Sequence, residues 1–176
     1  DNTSVESMID AIDYAHKCNC IDCVLDANIA LAELYAEIND YDSAITIFDK
    51  ILEFNTDEIG SNYIAKALAG KSKVLINQKQ YDYALMLIDS SLSLCDSLSD
   101  INLLIDNYSS KAQIYDSLNI LDETNNYYKY VIKLAYDYKE YEDCGQFMYN
   151  YGMHEIRQNN IDKAIDILKI LCDSTE

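Results

Sequence analysis

Residues 16–23 read HKCNCIDC and place one imidazole and three thiols, His16, Cys18, Cys20 and Cys23, within eight positions. Such side chains can do two kinds of chemistry. Deprotonated thiols and a neutral imidazole hold zinc or a similar divalent ion. Cys20-x-x-Cys23 has the spacing of a redox pair, and a place at a helix N-terminus would favour its thiolate. A mononuclear zinc site, however, usually draws ligands from two separated segments so that a tetrahedron can close. The other histidine is His154, and Cys95, Cys144 and Cys172 stand singly in apolar helical patterns. Asp22 and Asp26 flank the pair and oppose a thiolate. Free thiols in a reducing compartment are therefore the main reading. A metal- or redox-responsive module using His16, Cys18, Cys20 and Cys23 is the alternative.

No other constellation points to catalysis. The sequence has no phosphate-cradling glycine loop, no HExxH and no Gly-x-Ser-x-Gly. Carboxylates are so abundant that any pair of them is uninformative. No enzyme activity and no cofactor are expected. The formal net charge is −18, from 31 acidic and 13 basic side chains, which repels phosphate backbones and anionic headgroups. Nucleic-acid binding and membrane insertion by this segment are not expected. Against that background residues 61–80, SNYIAKALAGKSKVLINQKQ, carry four lysines and no acid.

The elements that position these residues are helices. Proline is absent and only 4 glycines occur in 176 residues, so a β fold would lack its turn chemistry. The segments YDSAITIFDKIL, YDYALMLIDSSL, LDETNNYYKYVI and IDKAIDILKILC begin at Tyr41, Tyr81, Leu121 and Ile161, each 40 residues after the last. Asp42, Asp82, Asp122 and Asp162 coincide in that frame and are expected to cap helix N-termini. Ala44, Ala84, Thr124 and Ala164 are small. Phe48, Ile88, Tyr128 and Leu168 follow four residues on, completing an apolar stripe at helical spacing. Twelve residues before each small position is another small one: Ala32, Ser72, Ala112 and Gly152. Facing small residues let paired antiparallel helices approach closely, and IND, QKQ, LNI and QNN form the short links. In this frame Cys18 and Cys20 fall at a junction between successive repeats. Tyr35, Tyr41, Tyr81, Tyr115 and Tyr128 fall at packing phases and are read as core.

The pattern of small residue, aromatic three on, then Ala and an aromatic or aliphatic four further, clearest in LAELYAEINDYDSAITIFDKIL, resembles a tetratricopeptide repeat (TPR). The period is 40 rather than the family's usual 34, the terminal proline is missing, and glycine stands at the first small position only in the last repeat. The resemblance implies an all-α fold, an α-α superhelix of antiparallel helix pairs. One array over 1–176 is expected, with 1–17 the second helix of a truncated repeat and pairs at 22–56, 61–96, 101–136 and 140–174. TSVESMIDAIDYA, with Thr3 and Glu6 as a capping box, begins in the phase of a second helix, so the chain is read as cut from a longer array. End-to-end self-association would then be possible.

Resemblance also implies a concave groove lined by the first helix of each pair, and no chemistry. The groove positions carried over are Glu33, Glu37, Lys66, Lys73, Asn77, Asp106, Gln113, Tyr149, Met153 and Arg157. Lys66 and Lys73 would share a face two turns apart, suited to an acidic peptide unless Glu33, Glu37 and Asp106 neutralise them. The carboxylate clamp of chaperone-tail binders needs Lys and Asn where Ile29 and Glu33 stand, and is not expected. The implied function is a scaffold that binds a protein or peptide, a regulatory or sensor segment of a larger bacterial signalling protein. The expected compartment is the cytoplasm, the alternative an extracytoplasmic sensor domain of a membrane protein.

Overall fold

Each three-residue link closes one helix and starts the next by the same device. Asn39, Lys79, Asn119 and Asn159 adopt left-handed backbone conformations, with φ of 63°, 61°, 58° and 61°. The following N–H then reaches back five residues. Asp40 N–H donates to the Tyr35 carbonyl at 2.8 Å, Gln80 to Leu75 at 2.8 Å, Ile120 to Tyr115 at 2.9 Å and Asn160 to Glu155 at 2.9 Å. This satisfies carbonyls that a helix end otherwise leaves orphaned. Asparagine tolerates that conformation better than most residues with a Cβ.

The computed structural model describes residues 2–95, 100–138 and 141–173. These form ten helices and, among the described residues, no strand: α1 (Asn2–Lys17), α2 (Ile21–Glu37), α3 (Tyr41–Leu52), α4 (Thr56–Ile59), α5 (Ser61–Asn77), α6 (Tyr81–Leu94), α7 (Ile101–Ser117), α8 (Leu121–Tyr138), α9 (Tyr141–Arg157) and α10 (Ile161–Asp173). They divide into two compact units, Asp1–Ser99 and Asp100–Glu176.

In the first unit α2 packs on α1, α3 and α5, and α5 packs on α6. Leu25, Ala32, Ala44, Phe48, Ile51, Ala67 and Val74 form a core in which Ala32, Ala44, Phe48, Ala67 and Val74 are fully buried. Phe48 lies directly against α5 at Gly70, where an added Cβ would stand 2.4 Å from the ring. A glycine inside a helix costs about 1 kcal/mol relative to alanine; here it lets the phenyl group seat. Ser91 on α6 is also fully buried, and its hydroxyl donates to the Ala65 carbonyl at 2.8 Å.

In the second unit α7 packs on α8, α8 on α9, and α9 on α10. Ile105, Val131, Ala135 and Met148 make one apolar cluster, and Ala112, Tyr128 and Tyr151 another. The facing small residues behave alike in both units: Ala32, Ala44, Ser72, Ala84, Ala112 and Thr124 are fully buried and Ala164 nearly so. A Cβ on Gly152 would come within 2.9 Å of Leu168.

Two expectations are corrected. Asp42, Asp82, Asp122 and Asp162 sit inside the first helical turn, where they favour the helix dipole but do not cap. The capping position comes two residues earlier because the left-handed residue already ends the preceding helix. Asp40 occupies it in α3 and accepts from Ser43 N–H at 3.2 Å. The Cys18-Asn19-Cys20 junction lies between the end of α1 and the start of α2 and is short. Asn19 has φ 52°, and Cys20 N–H donates to the Ala15 carbonyl at 3.2 Å, the same tight turn as the other four. Secondly, Tyr128 is buried and Tyr35 and Tyr41 pack, half-buried, against the first unit's core, while Tyr81 and Tyr115 are only half-buried. Helix α1 starts at Asn2, ahead of the expected cap, and the side chains of Thr3, Cys144, Gln146 and Cys172 lie outside the described residues.

Candidate functional site

Helices α2 and α5 of the first unit bring four of the expected groove residues together. Glu33 and Glu37, one turn apart on α2, and Lys73 and Asn77, one turn apart on α5, line a cavity of about 380 Å³. Its remaining lining is Ala36, Gly70 and Phe48. Ala36 lies at its base with the buried Phe48 ring packed beneath, and the charged groups stand around it. Lys73 can receive a carboxylate, the two glutamates a cation, and the Asn77 amide can both donate and accept.

The lysines of residues 61–80 do not form one patch. Lys66 does not line this cavity; its ammonium lies over the Tyr63 ring at 5.7 Å from the centroid. Lys71 pairs with Asp49 at 2.5 Å and lies 5.8 Å from the Tyr83 centroid. Lys79 occupies the left-handed turn position. Lysine stems pack on whatever apolar surface is nearest while their heads find local partners, so four charges close in sequence are dispersed over α5 and the turn after it. Ile29 on α2 and Ala69 and Ile76 on α5 are buried.

In the second unit Asp106 and Met153 are half-buried, while Gln113, Tyr149 and Arg157 are exposed. Arg157 does not stand free as a groove cation. Its guanidinium binds the Asp116 carboxylate, whose other oxygen accepts from His154 Nδ1 at 2.6 Å. His154 is fully buried, and its Nε2 has no hydrogen-bond partner. The neighbouring Glu155 is fully buried too, bound by Lys163 and by Asn160 at 2.8 Å. Burial pushes the Glu155 carboxyl up, but the bonds from Lys163 and Asn160 outweigh it and hold it below the usual range. Burial likewise works against the Lys163 charge, and the bond to Glu155 raises the ammonium above its ordinary value. Asn125 Oδ1 accepts from both Lys163, at 3.1 Å, and the Tyr151 hydroxyl, at 3.0 Å. Tyr151 stacks on Tyr128 with centroids 5.2 Å apart, and burial pushes the Tyr128 hydroxyl up to about 12. This network was not expected: its members are 30 or more residues apart in part, and carboxylates are too common for the sequence to mark the two that are held.

The cysteine turn carries a bond. Cys20 and Cys23 form a disulfide, with Cα atoms 5.3 Å apart, while Cys18 is a free, exposed thiol. Two of the four sulfur and nitrogen ligands of the metal alternative are thereby consumed. Among the described residues no three His, Cys, Asp or Glu side chains gather to hold a metal ion. Cys20 caps α2, its sulfur accepting from Cys23 N–H at 3.3 Å.

The sequence profile of the RNPP family C-terminal domain matches residues 14–123. The chain belongs to that family. Among solved structures it is similar to MamA 41-end from Desulfovibrio magneticus RS-1, with 15% identity, a TM-score of 0.61, and coverage of 96% of this chain and 93% of that one. A structure titled MamA RS-1 ArsTM double mutant matches with the same identity, TM-score and coverage. At that identity the likeness shows the fold alone, a TPR-like helical solenoid. No curated protein sequence matches. Family and fold support a protein-interaction scaffold, and scaffold families of this kind are generally non-enzymatic. No described helix is long and apolar enough to cross a membrane.

Proposed function

We propose that this domain binds a peptide or an extended protein segment against the inner helices of its repeats, and that it is the regulatory or sensor part of a larger protein. The observation that carries this reading is the cavity lined by Glu33, Glu37, Lys73 and Asn77 over an apolar floor. It combines one cation, two anions and an amide around Ala36. That mixture suits a peptide, which presents backbone amides, an apolar side chain and charges of both signs. A nucleic-acid or anionic lipid partner would meet a chain of net charge −18. Of the remaining positions carried over from the family pattern, Lys66 is proposed as a further contact of the first unit, and Asp106, Gln113, Tyr149, Met153 and Arg157 as contacts made by the second unit on its own. Arg157 would take part only in competition with Asp116.

The test is selection of binding peptides from a displayed random library against the full chain. Lys73→Glu or Asn77→Ala should weaken the selected peptides by roughly 10-fold or more, the loss of one charge-assisted or buried hydrogen bond. Lys129→Glu, on the exposed part of α8, should not. Peptides that bind all three variants equally would place recognition elsewhere.

A further inference from the structure

The groove leaves the turn between α1 and α2 unused, and four observations there belong together. Cys20 and Cys23 are bonded to each other across only three positions, and so short a closed loop restricts little of the unfolded chain. The bond is not shielded: Cys20 is half-buried, Cys23 exposed, and the free thiol of Cys18 is exposed two residues away. Cys20 caps a helix of 17 residues, and Cys23 N–H already points at its sulfur. The same N–H and the positive end of the helix would stabilise a Cys20 thiolate once the bond opened. Finally, Cys20 lines a cavity of about 910 Å³ whose walls include Val24, Ile47, Phe54 and Ile59, with His16 at its edge. Of the two acids that oppose a thiolate, Asp22 and Asp26, the Asp26 carboxylate is partly engaged, accepting from the Tyr63 hydroxyl on α5 at 3.4 Å.

We propose that Cys20–Cys23 is a thiol–disulfide exchange site for low-molecular-weight thiols and disulfides that carry an apolar substituent. The substituent occupies the cavity beside Cys20, and the incoming thiolate attacks Cys20 Sγ. A bond forms between that sulfur and the incoming one, the Cys20–Cys23 bond breaks, and Cys23 leaves as a thiolate into water. A second molecule of thiol attacks the mixed disulfide at the incoming sulfur and releases Cys20 as the capped thiolate. Two thiols are oxidised to one disulfide, the protein disulfide is reduced by two electrons, and the protons released by the thiols go to Cys20 and Cys23. Run backwards, a small disulfide oxidises the pair. The site is independent of the peptide groove.

The full chain is treated with benzyl mercaptan or with glutathione, quenched with iodoacetamide at intervals, and the alkylated positions are located by mass spectrometry. Cys20 and Cys23 should become labelled together without denaturant, and glutathione disulfide should reverse the change. Benzyl mercaptan should gain severalfold over glutathione relative to their rates on a free-solution disulfide. Phe54→Ser, at a side chain 48% exposed, should remove that gain while the circular dichroism is unchanged. In Cys23→Ser the mixed disulfide should accumulate on Cys20 in preference to Cys18. A pair that opens only in denaturant is a structural staple and overturns the proposal. So does a pair that glutathione disulfide never closes, or a benzyl preference that Phe54→Ser leaves intact.

Discussion

The two units use one 40-residue frame and fill it differently. In Asp1–Ser99 the space between helices is closed by shape: Phe48 seats on Gly70, and the neighbouring core is aliphatic. In Asp100–Glu176 much of it is closed by charge and hydrogen bonds: Asp116 with His154 and Arg157, and Glu155 with Lys163 and Asn160, beside the Tyr128–Tyr151 stack. Both solutions keep the same tight turns and the same pairs of small residues. The frame therefore sets how closely helices approach, while the residues beyond the contact are free to pack by either means. A core closed by shape is sensitive to volume. One closed by charge is sensitive to partner loss and to pH.

Breaking the charged solution should have the largest effect. Lys163→Met strands the buried Glu155 carboxylate and should cost the second unit about 2–3 kcal/mol in denaturant unfolding. This is below the cost of breaking a fully buried pair because Lys163 is 41% exposed and water screens part of the attraction. Adding Glu155→Met should recover most of that loss; if it does not, the unit is not held by this pair. Breaking the shape-based solution comes next. Gly70→Ala should destabilise the first unit by about 1–2 kcal/mol, the clash with Phe48 exceeding the gain in helix propensity. Hydrogen exchange resolved by peptide would show protection lost in α3 and α5 and retained in α7–α10.

The pH response separates the units further. Glu155 has a lowered pKa when folded, so its contribution is present above the ordinary carboxylate value of 4.5 and is lost as pH falls through the folded one. Hydrogen exchange should therefore rise in α9 and α10 on acidification, and Glu155→Gln should flatten that limb. Tyr128, pushed to about 12, works at the other end: its contribution is present below 10.0 and lost as pH rises toward 12. Tyr128→Phe should remove that share of the alkaline loss. The smallest effect tests what the units have in common. Lys79→Gly should raise the first unit's stability by about 0.5–1 kcal/mol, whereas Asn119→Gly should leave the second nearly unchanged, because asparagine already tolerates the left-handed turn.

Much of the fold could be read from periodicity. The small pairs, such as Ala32 with Ala44 and Ala112 with Thr124, announce close helix contacts through their size and spacing alone. The turn chemistry was read two residues late, because Asp42 and its equivalents look like caps until the left-handed residue at 39 is located. The cysteine turn falls at a helix junction as its phase implies, and Asn19, 20 residues before Asn39, takes the same left-handed conformation. Four groove positions, Glu33, Glu37, Lys73 and Asn77, meet around one cavity as helical phase suggests. Lys66 and Arg157 do not stand free, because a long side chain settles on partners that phase does not identify: Tyr63 in one case, Asp116 in the other.

The sequence by itself determined the helices, their pairing and their period. Those depend on local propensity and on side-chain volume at fixed spacing, which every residue carries wherever it sits. Only the tertiary structure decided that Asp116 is held by Arg157 and Glu155 by Lys163, that Phe48 needs Gly70, and that Cys20 bonds Cys23 beside an apolar cavity. Each of these depends on atoms brought within a few ångströms by folding, and no spacing along the chain encodes that distance.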